Sequence, residues 1–326
     1  MIYPHNTSKQ LEIELFKKPT AEYRGIPFWS WNCEITEELI DWQLDCFKLM
    51  GFGGVDIHPR TGLETEYLGK EYMRLIRYTM ERCKEKGLFC WLYDEDRFPS
   101  GNAGGLVTKD FRLRGRYLLL TEAYGENYLS DGYYPDREQF EAAVCRGEKP
   151  MGYYATAYQL DLDGGYLNDY HRLKHADEIR QALEAGKRVR FAYVKMMEEE
   201  HWFEDQAYVD TMNPEAVAEF IRITHERYYQ AVGDEFGKCV PAIFTDEPRM
   251  GKHLPVSAAL SKEDITLPYT GPMAEQMRQR FGIDPLDVAP EYIWELPGGQ
   301  HSSNRYYYRE TAAECFVSAF LDQICD

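Results

Sequence analysis

The chain has 326 residues, with 55 acidic against 37 basic side chains and a formal charge of −18 at pH 7. That surplus repels phosphate backbones and argues against a nucleic-acid partner; a neutral ligand suits it better. Hydrophobic residues make up 44% and charged residues 28%, the balance of a globular protein holding one α/β domain or a core domain with an insertion. No apolar stretch approaches the roughly 20 residues that span a bilayer, so no membrane partner is expected. Met1-Ile-Tyr-Pro-His-Asn6 lacks a basic region followed by an apolar run, so no signal peptide is visible. Cys33, Cys46, Cys83, Cys90, Cys145, Cys239, Cys315 and Cys325 are scattered without a CxxC pair, which suits reduced thiols and a cytoplasmic location.

From residue 25 the pattern alternates strand and helix. Gly25–Asn32 reads as a first strand leading into a loop. Thr36 then caps a helix with Glu37 and Glu38 in its first turn, where the helix dipole favours negative charge. Leu39, Ile40, Leu44, Phe47 and Met50 give its apolar face, and Gly51 stops it. Gly53–His58 is a second strand, residues 70–86 a second helix closed by Gly87, and Leu88–Asp94 a third, apolar strand. Consecutive βα units with short links predict a parallel sheet.

The rhythm then breaks. Strands are predicted at 116–124, 152–162 and 188–198, with one helix near 176–185. Residues 115–205 therefore read as an inserted, mostly antiparallel β module. A fourth barrel-type strand follows at Ala207–Met212, then a helix capped by Asn213 with Pro214 at its first position, running to about Val232. Val240-Pro-Ala-Ile-Phe-Thr-Asp-Glu-Pro248 is the fifth, and helices near 270–281 and 303–324 close the chain. The expected fold is thus α/β of the (β/α)8 TIM-barrel type, incomplete at about five βα units, where a closed barrel has eight. Residues 1–114 carry its first part, 115–205 the insertion and 206–326 its continuation. An open five-stranded sheet is the alternative.

In such a fold catalytic groups sit at the C-terminal ends of the strands. Asp246 and Glu247 fall at such an end, and Glu247 is the leading candidate for a general acid or base; a salt bridge or a helix cap is the plainer reading. Asp94-Glu95-Asp96-Arg97 ends the third strand. These residues suit charge-assisted hydrogen bonds to sugar hydroxyls, or oxygen ligation of a hard cation such as Ca²⁺. The following Ser100-Gly-Asn-Ala-Gly-Gly105 turns the backbone toward a ligand or serves only a tight turn. Asp56, His58 and Arg60 end the second strand, Trp29, Trp31 and Asn32 the first, and Asp210 the fourth. The indoles are candidate stacking platforms or core; Asp210 binds substrate or caps a turn. The sequence requires no cofactor: no His/Cys metal spacing, phosphate loop, GxGxxG or GxSxG is present.

Pro27-Phe-Trp-Ser-Trp-Asn32, Gly51-Phe-Gly-Gly-Val-Asp-Ile57, Trp91-Leu-Tyr-Asp-Glu-Asp-Arg-Phe-Pro-Ser-Gly-Asn-Ala-Gly-Gly105 and Phe244-Thr-Asp-Glu-Pro248 together resemble the bacterial α-L-rhamnosidase-like glycoside hydrolases of family 106. The resemblance implies a (β/α)8 barrel followed by β-sandwich domains, inverting hydrolysis of a terminal deoxyhexose, and a Ca²⁺ that helps hold the sugar. Glu247 would align approximately with one catalytic glutamate. The family tends to carry Asp-Ser-Tyr/Phe-Glu there, so the glutamate of Asp246-Glu247-Pro248 is displaced. The second catalytic carboxylate is expected beyond Asp326, which makes this chain the front part of a longer hydrolase. A non-catalytic carbohydrate-binding protein on a degenerate barrel is the alternative. An aldolase-like barrel wants a strand-end Schiff-base Lys or a metal cluster, and neither is apparent.

Overall fold

A computed structural model describes residues 8–122, 135–203 and 205–326. The reading of Met1–Asn6 lies outside these residues, as do the last two positions of the strand expected at 116–124. In chain order the elements are α1 (Ile13–Lys17), β1 (Phe28–Trp31), α2 (Glu37–Leu49), β2 (Gly54–Pro59), α3 (Lys70–Lys86), β3 (Phe89–Tyr93) and β4 (Arg116–Thr121). Then come α4 (Arg137–Cys145), β5 (Gly152–Asp163), β6 (Tyr166–Leu173), α5 (Ala176–Glu184) and β7 (Arg188–Met196). They are followed by α6 (Pro214–Ile223), α7 (His225–Val232), β8 (Ile243–Phe244), β9 (Ile265–Pro268), α8 (Gly271–Phe281) and α9 (Ser303–Phe316). None of the described helices is long and apolar enough to cross a membrane. Contacts divide the chain into two compact units, one of residues 1–107 and 219–248, the other of 108–218 and 249–326.

The first unit is built on a parallel sheet of four strands in the order β1-β2-β3-β8. Helix α2 starts where Thr36 Oγ1 accepts the Leu39 N–H (3.2 Å) and buries Ile40 and Leu44. Helix α3 buries Tyr72, Leu75, Ile76, Met80 and Cys83 and ends at Gly87, whose φ of +71° suits the left-handed stop of a helix. Every residue of β2 is buried, as a central parallel strand requires. Strand alternation sorts the sheet's side chains between two faces. Trp29 and Trp31 point to the helices: Trp29 packs edge-on against Phe47 of α2 and Trp31 against Tyr72 of α3. Phe28, Asp56, His58, Tyr93 and Phe244 share the opposite face, where their rings meet one another.

The second unit is a five-stranded antiparallel sheet, β6-β5-β7-β4-β9. Its principal core joins Leu118, Leu120, Phe140, Tyr153 and Ala192 to Met273, Met277 and Trp294. The predicted strands at 116–124, 152–162 and 188–198 correspond to β4, β5 and β7. The antiparallel sheet also draws in β9, which pairs with β4 from Tyr117↔Pro268 to Leu120↔Ile265, so chain from beyond 205 completes it.

Three expectations are corrected. The described residues form a four-stranded parallel sheet and no closed barrel. The fourth strand expected at Ala207–Met212 is not one of its members: Val209 makes a single antiparallel bridge with Arg114, and Gly115 N–H donates to Tyr208 O (2.8 Å). The buried Tyr208 and Val209 mimic a strand, but Asp210–Asn213 turn the chain into α6. The single helix expected from 213 to 232 breaks at Thr224, whose hydroxyl bonds back to Phe220 O (2.7 Å).

Because Trp31 is wholly buried against α3, Trp31→Ala is expected to destabilise the protein by about 3–5 kcal/mol in urea unfolding. A loss below about 1 kcal/mol would return Trp31 to the role of an accessible platform.

Candidate active site at the strand ends of the parallel sheet

The first unit gathers its polar side chains where β2, β3 and β8 run out. Three consecutive carboxylates leave β3 and meet three different environments. Asp94 is fully buried. Its backbone N–H donates to Phe244 O (3.2 Å), Ser100 Oγ donates to Oδ1 (2.6 Å), and Thr245 Oγ1 donates to Oδ2 (2.6 Å). His225 Nε2 of α7 lies 3.7 Å from the same Oδ2. Burial pushes the Asp94 carboxyl up to about 7, against the lowering effect of the two hydroxyls.

Glu95 turns the other way and organises a loop. Its Oε2 accepts the N–H groups of Gly101 (3.1 Å), Asn102 (2.7 Å) and Ala103 (2.8 Å), and Oε1 those of Gly104 (2.6 Å) and Asp96 (3.0 Å). The amides converge because Gly101, Ala103 and Gly104 take φ of +135°, +51° and +63°; glycine supplies the first and last without strain, and Ala103 adopts the left-handed region despite its Cβ. Burial and the Asp96 charge raise the Glu95 carboxyl, and the amide hydrogens oppose them. A protonated Glu95 would aim its O–H at N–H donors, so the loop requires the anion.

Asp96 pairs with Arg97 Nε (3.4 Å), and Arg97 O accepts from Arg60 Nη1 (3.2 Å) and from the Tyr93 hydroxyl. Arg60, Arg97, Asp96, Glu64, Glu66 and Tyr67 line a cavity of about 170 Å³. Arg60 Nη2 donates to His58 Nδ1 (3.2 Å), which fixes the neutral tautomer with its proton on Nε2, 3.2 Å from Asp56 Oδ2. Burial raises the Asp56 carboxyl, with His58 acting against it. The His58 ring stacks on Tyr93 (4.2 Å) and packs beneath Phe28 (4.1 Å), which is 57% exposed.

At the end of β8, Ser100 N–H donates to Asp246 O (2.9 Å) and Asp246 N–H donates to Ser100 Oγ (2.8 Å). Glu247 follows, exposed, with φ +41°. A glutamate in left-handed backbone directly before a proline is strained, at a cost of about 1–3 kcal/mol.

Of the residues singled out in the sequence, the structure brings together Asp56, His58, Arg60, Asp94, Glu95, Asp96, Arg97 and Asp246, with Glu247 next in line. Asn32 lies exposed just beyond β1. Trp29 and Trp31 fill the helix-side core and cannot stack a ligand. Asp210 belongs to the second unit, where it accepts from Thr270 Oγ1 (2.5 Å) and Met212 N–H (3.2 Å), and burial pushes it up to about 6. It braces a turn. Sequence reasoning missed Phe28 and Phe244, the aromatic rings that sit over His58; the alternation Phe28-Trp29-Ser30-Trp31 already separates Phe28 from the indoles. It also missed Ser100 and Thr245, which nothing but their place beside the acids could have flagged.

Asp94 and Glu95 do not suit a calcium ion. Both oxygens of Asp94 and of Glu95 are already engaged, and a cation at Glu95 would meet the positive ends of backbone amides. Among the described residues no group of three or more His, Cys, Asp or Glu side chains is placed to hold a metal.

No family model and no curated protein matches the sequence. Among solved structures the chain is similar to a rhamnosidase from Novosphingobium sp. PP1Y, with a TM-score of 0.49 and 13% identity over 94% of this chain. The match covers 45% of that rhamnosidase, so the chain spans less than half of its length.

Glu95→Gln turns an NH₂ group against amide donors and is expected to cost at least about 2 kcal/mol and to expose the 101–104 amides to exchange; unaltered exchange would show that Glu95 does not hold the loop. Asp94 carries a folded value raised from 3.8 to about 7. Between those values the folded state holds a proton that the unfolded chain has lost, so its contribution to stability falls as pH rises, by at most about 1.4 kcal/mol per pH unit. Urea unfolding from pH 4 to 7 should show a shallower decline in Asp94→Asn than in the wild type. Equal slopes would place the titration elsewhere.

Proposed function

We propose that the protein is a glycoside hydrolase in which Glu247 is the general acid or base. The observation that carries this reading is the state of Glu247: an exposed carboxylate in strained left-handed backbone at the C-terminal end of a parallel strand. Strain of this kind persists only where surrounding structure holds it, and it gathers at functional sites. The end of a parallel strand is also where ligands meet open α/β sheets.

The environment suits a sugar. Phe28 and Phe244 offer apolar ring faces around His58, and Arg60, Arg97 and Asp96 offer charged hydrogen-bonding groups of both kinds at the neighbouring strand-end cavity. A terminal deoxyhexose is the first substrate class to try, on the strength of the 91–105 motif alone. Asp56, Asp94 and Glu95 are buried and engaged, so they orient the site and do not reach substrate. We place the partner carboxylate outside this unit; if the enzyme inverts, it stands roughly 6.5–9.5 Å from Glu247 with a water between them. The aromatic face favours a second reading, sugar binding without cleavage.

A panel of aryl glycosides, deoxyhexosides first, offered to the full-length protein tests the choice. Glu247→Gln should lower turnover by roughly 10²–10⁴-fold with folding intact. Glu247→Gly should be inactive yet more stable than wild type, by up to about 1 kcal/mol, as the strain is relieved. Full activity in Glu247→Gln removes it from the chemistry, and tight oligosaccharide binding without cleavage by the wild type supports the binding reading.

A further inference from the structure

We propose that Asp94, Ser100 and Thr245 form a clasp that fixes the backbone at Asp246 and so aims the Glu247 carboxylate; this rests on the hydrolase reading of Glu247. Strand β8 is only two residues long, and its ladder with β3 ends at the Tyr93–Phe244 pair. Sheet pairing therefore does not order residues 245–247. Side chains take over where the ladder stops. Thr245 Oγ1 donates to Asp94 Oδ2 at 2.6 Å, and Asp246 is held at both of its backbone groups by Ser100, through its N–H at 2.8 Å and its carbonyl at 2.9 Å. Ser100 Oγ in turn donates to Asp94 Oδ1 at 2.6 Å, which leaves its lone pair turned to the Asp246 N–H.

The chemistry of the three positions is specific. Ser100 Oγ must accept from an amide while donating to a carboxylate, which a hydroxyl does and a methyl group cannot. Asp94 must offer two acceptors at once, which an amide side chain does not. Asp94 and Ser100 are buried, so the bond between them is well shielded from competing water, while the bonds to Thr245 and Asp246 are half-buried. Glu247 occupies the first position beyond it, and its unfavourable φ needs such a hold. Asp94 and Ser100 touch no open surface, so they act as positioning residues, through Asp246.

The test uses the wild-type protein and the variants Ser100→Ala, Ser100→Thr, Thr245→Val and Thr245→Ser, with two readouts. Hydrogen exchange at the Asp246 amide, followed by NMR, should quicken at least about tenfold in Ser100→Ala and return toward wild type in Ser100→Thr, which keeps the hydroxyl. On a cleaved glycoside, Ser100→Ala and Thr245→Val should lower kcat with little change in KM, because Glu247 is misdirected while the sugar contacts remain. Ser100→Thr and Thr245→Ser should restore kcat. Unchanged exchange at Asp246 in Ser100→Ala overturns the clasp. Faster exchange with unchanged kcat overturns its positioning role. If the full-length protein cleaves no glycoside, the hydrolase reading falls, and the exchange measurement then still decides whether the clasp exists.

Discussion

A buried carboxylate that accepts five backbone amides is the constraint on which the first unit's strand-end geometry depends. Glu95 fixes the path of residues 96–104, because each amide it accepts removes one choice from a glycine-rich loop that would otherwise have many. Once that path is set, Ser100 comes to rest against Asp246, and Arg97 presents its carbonyl to Arg60 and Tyr93. The loop thereby ties together the ends of three neighbouring strands. Adjacent acids thus divide the work: Glu95 shapes the loop, Asp94 anchors it to β8, and Asp96 remains beside the cavity.

The same region depends on strand alternation to keep its two faces chemically distinct. One face carries Trp29, Trp31, Val55, Ile57 and Leu92 into the helical core, all of them buried. The other carries Asp56 and His58 beneath a cover of aromatic rings, with Arg60 set over Tyr93. Polar groups are tolerated there because they pair with one another: Arg60 donates to one His58 nitrogen, and the other stands 3.2 Å from Asp56 Oδ2.

The early βα rhythm was legible in the sequence because α2, α3, β2 and β3 obey simple rules. Thr36 and Gly87 mark helix ends, and the apolar β3 reads as a covered strand. Strands β6 and β9 were not legible. β6 lies at the edge of its sheet and runs polar residues together, as in Asn168-Asp169 and His171-Arg172, so it lacks an apolar signature. At 208 the reverse error arose, since a buried Tyr-Val pair looks like a strand whether or not a neighbour pairs with it. The acidic segment 94–97 was recognisable as a site, but its roles were not. Residue type shows that a carboxylate is present, and only the surrounding donors decide whether it faces a ligand or five amides. The indoles of β1 misled for a related reason: a period of two separates two faces without saying which one meets the helices.

The most direct measurement is a crystal structure of the protein soaked with a deoxyhexose monosaccharide. The sugar ring is expected against Phe28 and Phe244, with a hydroxyl within hydrogen-bond reach of the Glu247 carboxylate and Asp94 still enclosed. A sugar bound elsewhere, with the 244–247 segment untouched, would contradict it.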